Sequence, residues 1–156
     1  MQLELDILQR SLVVLGLSGI LGWEREAAGK SAGVRTHMLV GLAATLFVVI
    51  GELMIQRFAA SGEQLRYDPV RVLEALVTGI SFLGAGTIFV SRGQERVHGL
   101  TTAASILVTA AVGMMVGLRY YLLAAAVTAL IFIVLHGLAY LKKRIEANAA
   151  KREGGP

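Results

Sequence analysis

The sequence predicts an all-α, polytopic membrane helix bundle. It has about five transmembrane helices, with the N-terminus outside and the C-terminus cytoplasmic. Three observations carry that expectation. Hydrophobic residues make up 55% of the 156 residues, and mean hydropathy is +0.66. Charged residues are only 17%, below the roughly 25% of a soluble domain, and they gather at the ends of apolar runs. One stretch, Val97 to Leu141, carries a single formal charge, Arg119.

Span one, Ile7 to Trp23, is short and contains Arg10, which can snorkel to the interface if it lies near the helix end. The acidic start, Met1 to Asp6, lacks the basic n-region of a cleavable signal, so span one is expected to be retained. Span two runs from Thr36 to Phe58, with Glu52 and Arg57 in its outer portion. Span three runs from Pro69 to Val90, capped by Asp68 with Pro69 in the first turn. As a single helix, the Val97–Leu141 run would overshoot a roughly 30 Å hydrocarbon core about twofold. It therefore folds back at Gly117-Leu118-Arg119-Tyr120, giving span four (His98–Gly117) and span five (Tyr120–Leu141).

Lysine and arginine counts set the orientation. Ten fall on one side: Arg25, Lys30, Arg35, Arg92, Arg96, Lys142, Lys143, Arg144, Lys151 and Arg152. Five fall on the other: Arg10, Arg57, Arg66, Arg71 and Arg119. The positive-inside rule places the ten in the cytoplasm. Residues 1–141 form the transmembrane domain, and residues 142–156 form a basic cytoplasmic tail too short for a second domain.

Composition also excludes functions. The chain has no cysteine, which removes disulfides, thiolate metal sites and thiol chemistry. The net charge of +4 and the pI near 9.8 could suggest nucleic acid. Because the basic residues flank apolar runs, a membrane-interface role is preferred and no nucleic-acid partner is expected. No nucleophile–base pair or metal cluster stands out, so neither an enzyme nor a cofactor is expected. His37 and His98, at the starts of spans two and four, make a weak metal signal.

Helical spacing sorts the polar groups into stripes: Glu74, Thr78, Ser81 and Ala85 on span three; Thr101, Ser105, Thr109 and Gly113, with Thr102 alongside, on span four; Gly41, Thr45 and Glu52 on span two. These are expected to face one another rather than lipid. Glu52 and Glu74 admit a proton or cation site, with pairing to Arg57 or Arg71 as the favoured reading. Glu24 and Arg35 adjoin apolar runs and suggest an ion pair between spans one and two. Gly113 and Gly117 form a GxxxG, Ser18 and Gly22 a small-xxx-small pair, and Gly79, Gly84 and Gly86 crowd span three, all suited to close helix packing. A faint parallel repeat relates Gly33-Val34-Arg35-Thr36 to Gly99-Leu100-Thr101-Thr102, with Gly51 matching Gly117.

Three segments carry a resemblance. Gly22-Trp23-Glu24-Arg25-Glu26 with Ala32-Gly33-Val34-Arg35-Thr36-His37-Met38-Leu39-Val40 is similar to the first signature of the MgtC/SapB family. Ser81-Phe82-Leu83-Gly84-Ala85-Gly86-Thr87-Ile88 resembles the second, and Gly99-Leu100-Thr101-Thr102-Ala103-Ala104-Ser105 the third. Order and spacing match from about Gly16 to Leu141. The resemblance implies a bacterial inner-membrane protein linked to adaptation to low magnesium, acid stress and survival inside host cells. It implies a regulator acting on other membrane proteins; a small cation or proton transporter or channel, with Mg2+ among the candidate ions, is the alternative. The functional motif would comprise Glu24, Arg25, Glu26, Arg35, Thr36, Gly84, Gly86, Gly99, Thr101 and Thr102. Longer members add an ACT-like C-terminal domain, and many carry Trp-Cys where this chain has Leu107-Val108. The bilayer and a homo-oligomer, with a dimer as first expectation, complete the expected partners.

Overall fold

The structure is a computed structural model, and it describes residues 1–60, 68–90 and 97–137. Five helices dominate: α1 (Gln2–Ala27), α2 (Val34–Ala60), α3 (Pro69–Ala85), α4 (Leu100–Gly117) and α5 (Tyr121–Phe132). A π-helical turn, Ile133–Gly137, continues α5. Three helices are long and apolar enough to cross a membrane, Gln2–Ala27, Val34–Phe58 and Leu100–Gly117, and Tyr121–Gly137 is a shorter apolar one. Side chains such as Leu12, Phe47, Leu122 and Leu130 lie on the surface, as a bilayer permits and water would not. The structure is thus an all-α membrane bundle.

The boundaries shift from expectation in two places. Helix α1 extends well beyond Ile7–Trp23 at both ends. Helix α3 stops at Ala85, and the chain then enters a short antiparallel pair, β1 (Phe89–Val90) with β2 (Val97–His98). The Phe89 and His98 rings stack there with centroids 5.5 Å apart. The end of span five, the basic tail, and Arg66, Arg92 and Arg96 lie outside the described residues.

Gly99 turns β2 into α4. Its φ is +90°, and a Cβ added there would sit 1.9 Å from the Thr87 carbonyl oxygen. Both facts exclude a side chain: the left-handed region disfavours one, and backbone blocks it. Gly99→Ala is expected to lose about 2 kcal/mol or more, combining backbone strain with overpacking. A detergent melting curve, with Gly29→Ala (φ +66° but open space) as the milder comparison, checks it.

Helix α2 is central and packs most extensively against α1 and α4, while α3 packs chiefly against α4. The α1–α2–α4 contact is made by small residues. A Cβ on Gly113 would lie 2.4 Å from the Gly41 carbonyl oxygen and 2.9 Å from Ala44 Cβ; one on Gly117 would lie 2.8 Å from Val48 Cβ. Gly41 faces Ser18 and Val14 of α1, and Gly22 faces the Val34 backbone. The GxxxG and the Ser18/Gly22 pair therefore do what their spacing suggests. Span three is different. A Cβ on Gly84 would meet Ala103 at an ordinary 3.5 Å, and one on Gly79 would have nothing within 4 Å. The closest helix approaches occur on α2 and α4 instead.

Candidate functional site

Polar groups concentrate at the two ends of the bundle. At the first end, α1 begins, α2 ends, and α4 turns into α5. Arg10 sits on α1 and is 1% exposed. Its Nη1 donates to Glu52 Oε2 at 2.9 Å and to the Gly117 carbonyl at 2.8 Å, and its Nη2 pairs with Asp6. Its Nε has no hydrogen-bond partner among the described residues. Arg119 closes the cluster, donating to Glu52 Oε1 at 3.2 Å and to Asp6 Oδ2 at 3.0 Å. The Asp6 carboxylate raises the Arg119 guanidinium above its ordinary value.

Arg119 reaches this position through a helix-ending turn. The Tyr120 N–H bonds to the Met115 carbonyl and the Arg119 N–H to the Val116 carbonyl, both at 2.9 Å. That pattern needs a left-handed residue after the cap, and Arg119 adopts it at φ +65°. Glycine is the ordinary choice there. Arginine costs about 1 kcal/mol more in backbone energy, which two carboxylate contacts offset.

The cluster corrects two expectations. Arg10 does not snorkel; its carboxylates are brought to it. Glu52 pairs with Arg10 and Arg119, not with Arg57 or Arg71, because α2 turns Glu52 toward the α1–α4 seam. Asp6 and Arg119 were not among the expected site residues. The signal that could have found them is the buried charge itself: Arg10 within a span requires carboxylates at its own depth. Asp6 is one helical turn away at i−4, and Glu52 and Arg119 lie at the same end of their helices.

At the second end, Glu24 (5% exposed) pairs with Arg25 (2% exposed). Arg25 Nη2 also approaches the Leu135 carbonyl at 3.4 Å, and His136 Nδ1 lies 4.0 Å from Glu24 Oε1. Helix α1 is thereby tied to the π-helical turn that continues α5. The expected Glu24–Arg35 pair does not form: Glu24 is taken by Arg25, and Arg35 is exposed. Glu26 instead spans the loop: its Oε2 accepts the Val34 N–H at 2.9 Å, capping α2 where a negative charge suits the helix dipole. A Cβ on Gly33 would lie 2.4 Å from that carboxylate oxygen, so Gly33 makes the cap possible.

Beneath this cap, His37 is fully buried. Its Nδ1 lies 2.9 Å from the Gly33 carbonyl and its Nε2 lies 3.1 Å from Ser105 Oγ. Ser105 also donates to the Thr102 carbonyl at 2.8 Å. Thr45 Oγ1 donates to the Gly113 carbonyl at 2.8 Å, joining α2 to α4 a few turns further on. The polar stripes of α2 and α4 do face each other. The α3 stripe does not: Glu74, Thr78, Ser81 and Ala85 are all exposed, because Leu76, Ile80 and Gly84 form the packed face. Thr101 is exposed whereas Thr102 is buried. Thr36 and Gly86 border a small cavity of about 270 Å3 with Ser31, Thr87 and Phe89, where the first two signature segments meet.

The burial difference makes a prediction. Arg25→Ala leaves Glu24 buried without its partner, which costs about 3 kcal/mol. Arg35→Ala removes a solvated charge and is expected to stay within about 0.5 kcal/mol of wild type. Thermal unfolding of both variants in detergent measures the difference; equal melting temperatures would contradict it.

Among the described residues, no group of three or more His, Asp or Glu is placed to hold a metal ion. No solved structure shows a significant match. The sequence comparisons are decisive. The model of the MgtC family matches residues 12–144. YhiD of Escherichia coli K12, which carries a provisional magnesium-transporter name, is 39% identical over 125 residues, 78% of this chain and 57% of that protein. Protein MgtC of Brucella abortus (strain 2308) is 38% identical over 136 residues, 87% of this chain and 52% of that one. Protein SrpB of Synechococcus elongatus is 32% identical over 140 residues, 86% and 75% respectively. The chain spans little more than half the length of YhiD and MgtC. With a match across most of its residues, the chain belongs to the MgtC family.

Proposed function

We propose that this chain is a regulatory protein of the bacterial inner membrane, neither an enzyme nor a conduit, that serves adaptation to low magnesium, acid stress or intracellular survival by contact with other membrane proteins. One observation carries the reading. The polar groups that would line a passage through the bundle are engaged with each other. Asp6 and Glu52, the carboxylates a hard cation would seek, each pair with Arg10 and Arg119. Thr45 donates to the Gly113 carbonyl across the α2–α4 contact that Gly41 and Gly113 close, and Ser105 and Thr109 donate to carbonyls of their own helix.

Cation transport is the second reading, favoured by a cavity of about 380 Å3 that Glu52 and Arg119 border and by the name that YhiD carries. Liposome flux of the purified protein separates the two. The regulatory reading expects Mg2+, H+ and K+ flux indistinguishable from empty liposomes. Saturable Mg2+ flux lost in Glu52→Gln would overturn it. The orientation is tested alongside, with reporter fusions after Gly29 and after Arg119. The basic bias expects the first inside and the second outside.

A further inference from the structure

We propose that the exposed polar face of α3 is the contact surface for a second copy of this chain, the two α3 helices lying parallel about a twofold axis along the membrane normal. Helix α3 packs inward through Leu76, Ile80 and Gly84. Glu74, Thr78, Ser81 and Ala85 form the opposite stripe, roughly 130° around the helix at 3.6 residues per turn. Exposed Leu73 and Val77 border that stripe on one side and exposed Phe82 on the other, so its surroundings are lipid-facing. A carboxylate about 7 Å along such a helix is unfavourable against hydrocarbon and is expected to face protein.

The charges argue for a copy of this chain as the occupant. Arg71 lies one turn before Glu74 at the edge of the same stripe. It is 85% exposed, and its ion-pair contact among the described residues is a 3.9 Å approach to Asp68. A twofold axis sets Arg71 of one copy beside Glu74 of the other, and the same pair forms again by symmetry. That is the self-complementarity an isologous interface requires. Thr78, Ser81 and Ala85 are small enough for the backbones to approach, and their hydroxyls can bond across the contact. The inference goes beyond the regulatory reading and does not depend on it.

The natural chain has no cysteine, which makes the test direct. Single-cysteine variants Ser81→Cys and Leu122→Cys are purified, reconstituted in liposomes at equal density and oxidised. Leu122 is a strongly exposed residue of α5 and serves as the random-collision control. The proposal expects a disulfide-linked dimer for Ser81→Cys at least tenfold more abundant than for Leu122→Cys, since Cα atoms must come within about 7 Å to bridge. Equal yields, or no dimer from Ser81→Cys, would overturn it. So would a Ser81→Cys that cross-links only in native membranes, to a different protein. A second arm uses charge in the Ser81→Cys background. Arg71→Glu makes a doubly negative face and Glu74→Arg a doubly positive one. Each alone is expected to lose at least tenfold in cross-linking while keeping its melting temperature, and an equimolar mixture is expected to recover it. Failure of the mixture with both variants folded would remove the Arg71–Glu74 cross-pair and with it the proposal.

Discussion

Gly113→Leu is expected to prevent the bundle from assembling. Even a methyl group at this position would come 2.4 Å from the Gly41 carbonyl oxygen and 2.9 Å from Ala44 Cβ. The obstacle is backbone, so no rotamer change relieves it. Helix α2 would have to withdraw from α4 by more than an ångström, and the Thr45–Gly113 hydrogen bond would go with it. Withdrawal would also disturb α1, which packs so closely on Gly41 that a Cβ there would lie 3.0 Å from Ser18 and Val14. Overpacking of this kind costs about 1–3 kcal/mol for small insertions, and leucine adds three more carbons to the same gap. Gly113→Ala should already lose about 2 kcal/mol. Gly16→Ala, on α1 with nothing within 4 Å, should be neutral. The measurement is the melting temperature and monodispersity of the three variants in one detergent. A folded, wild-type-like Gly113→Leu would disprove the close α2–α4 contact.

Arg10→Met comes second. Methionine fills much of the space but takes donors away from Asp6, Glu52 and the Gly117 carbonyl together. Breaking a buried ion pair by removing one partner costs about 3–5 kcal/mol. The lower end applies, since Asp6 and Glu52 are 28% and 33% exposed and both keep Arg119. Arg10→Lys should fall between, because a lysine carries charge but cannot present a planar fork to three acceptors. Pairing Arg10→Met with Glu52→Gln should recover part of the loss, since the second change removes a charge the first left unpaired. Additive losses in that double-variant cycle would show that the two side chains do not interact.

The fold was legible to the extent that hydropathy and small-residue spacing encode it. Helix number followed from the apolar runs, the α4–α5 reversal from run length against bilayer thickness, and the α2–α4 contact from Gly113 and Gly117. Rotation was harder. Periodicity placed Glu74, Thr78 and Ser81 on one face but could not say which way that face turned. Leu76, Ile80 and Gly84 decided it by packing better against α4. Depth without rotation likewise left Arg10 with no assigned partner. The Glu24–Arg25 pair was missed because adjacent residues on a helix do not normally face one another. They do so here because both are buried at the end of α1, and among the described residues neither has another charge as close. The β1–β2 pair had only a weak signal, since an apolar Ile88-Phe89-Val90 reads equally well as helix.

The Asp6–Arg10 pair bears on how the chain enters the bilayer. Both residues belong to α1 and stand one turn apart, so the first helix carries its own counter-ion. An arginine entering hydrocarbon alone would resist insertion. Arg10 can be neutralised before α2 and α4 have been synthesised. Glu52 and the Gly117 carbonyl then arrive in chain order and take over bonds from water. Arg119 joins after them, when the turn beyond α4 is complete. Chain order thus allows the cluster to assemble from the N-terminus onward, with donors of Arg10 that each later helix can satisfy.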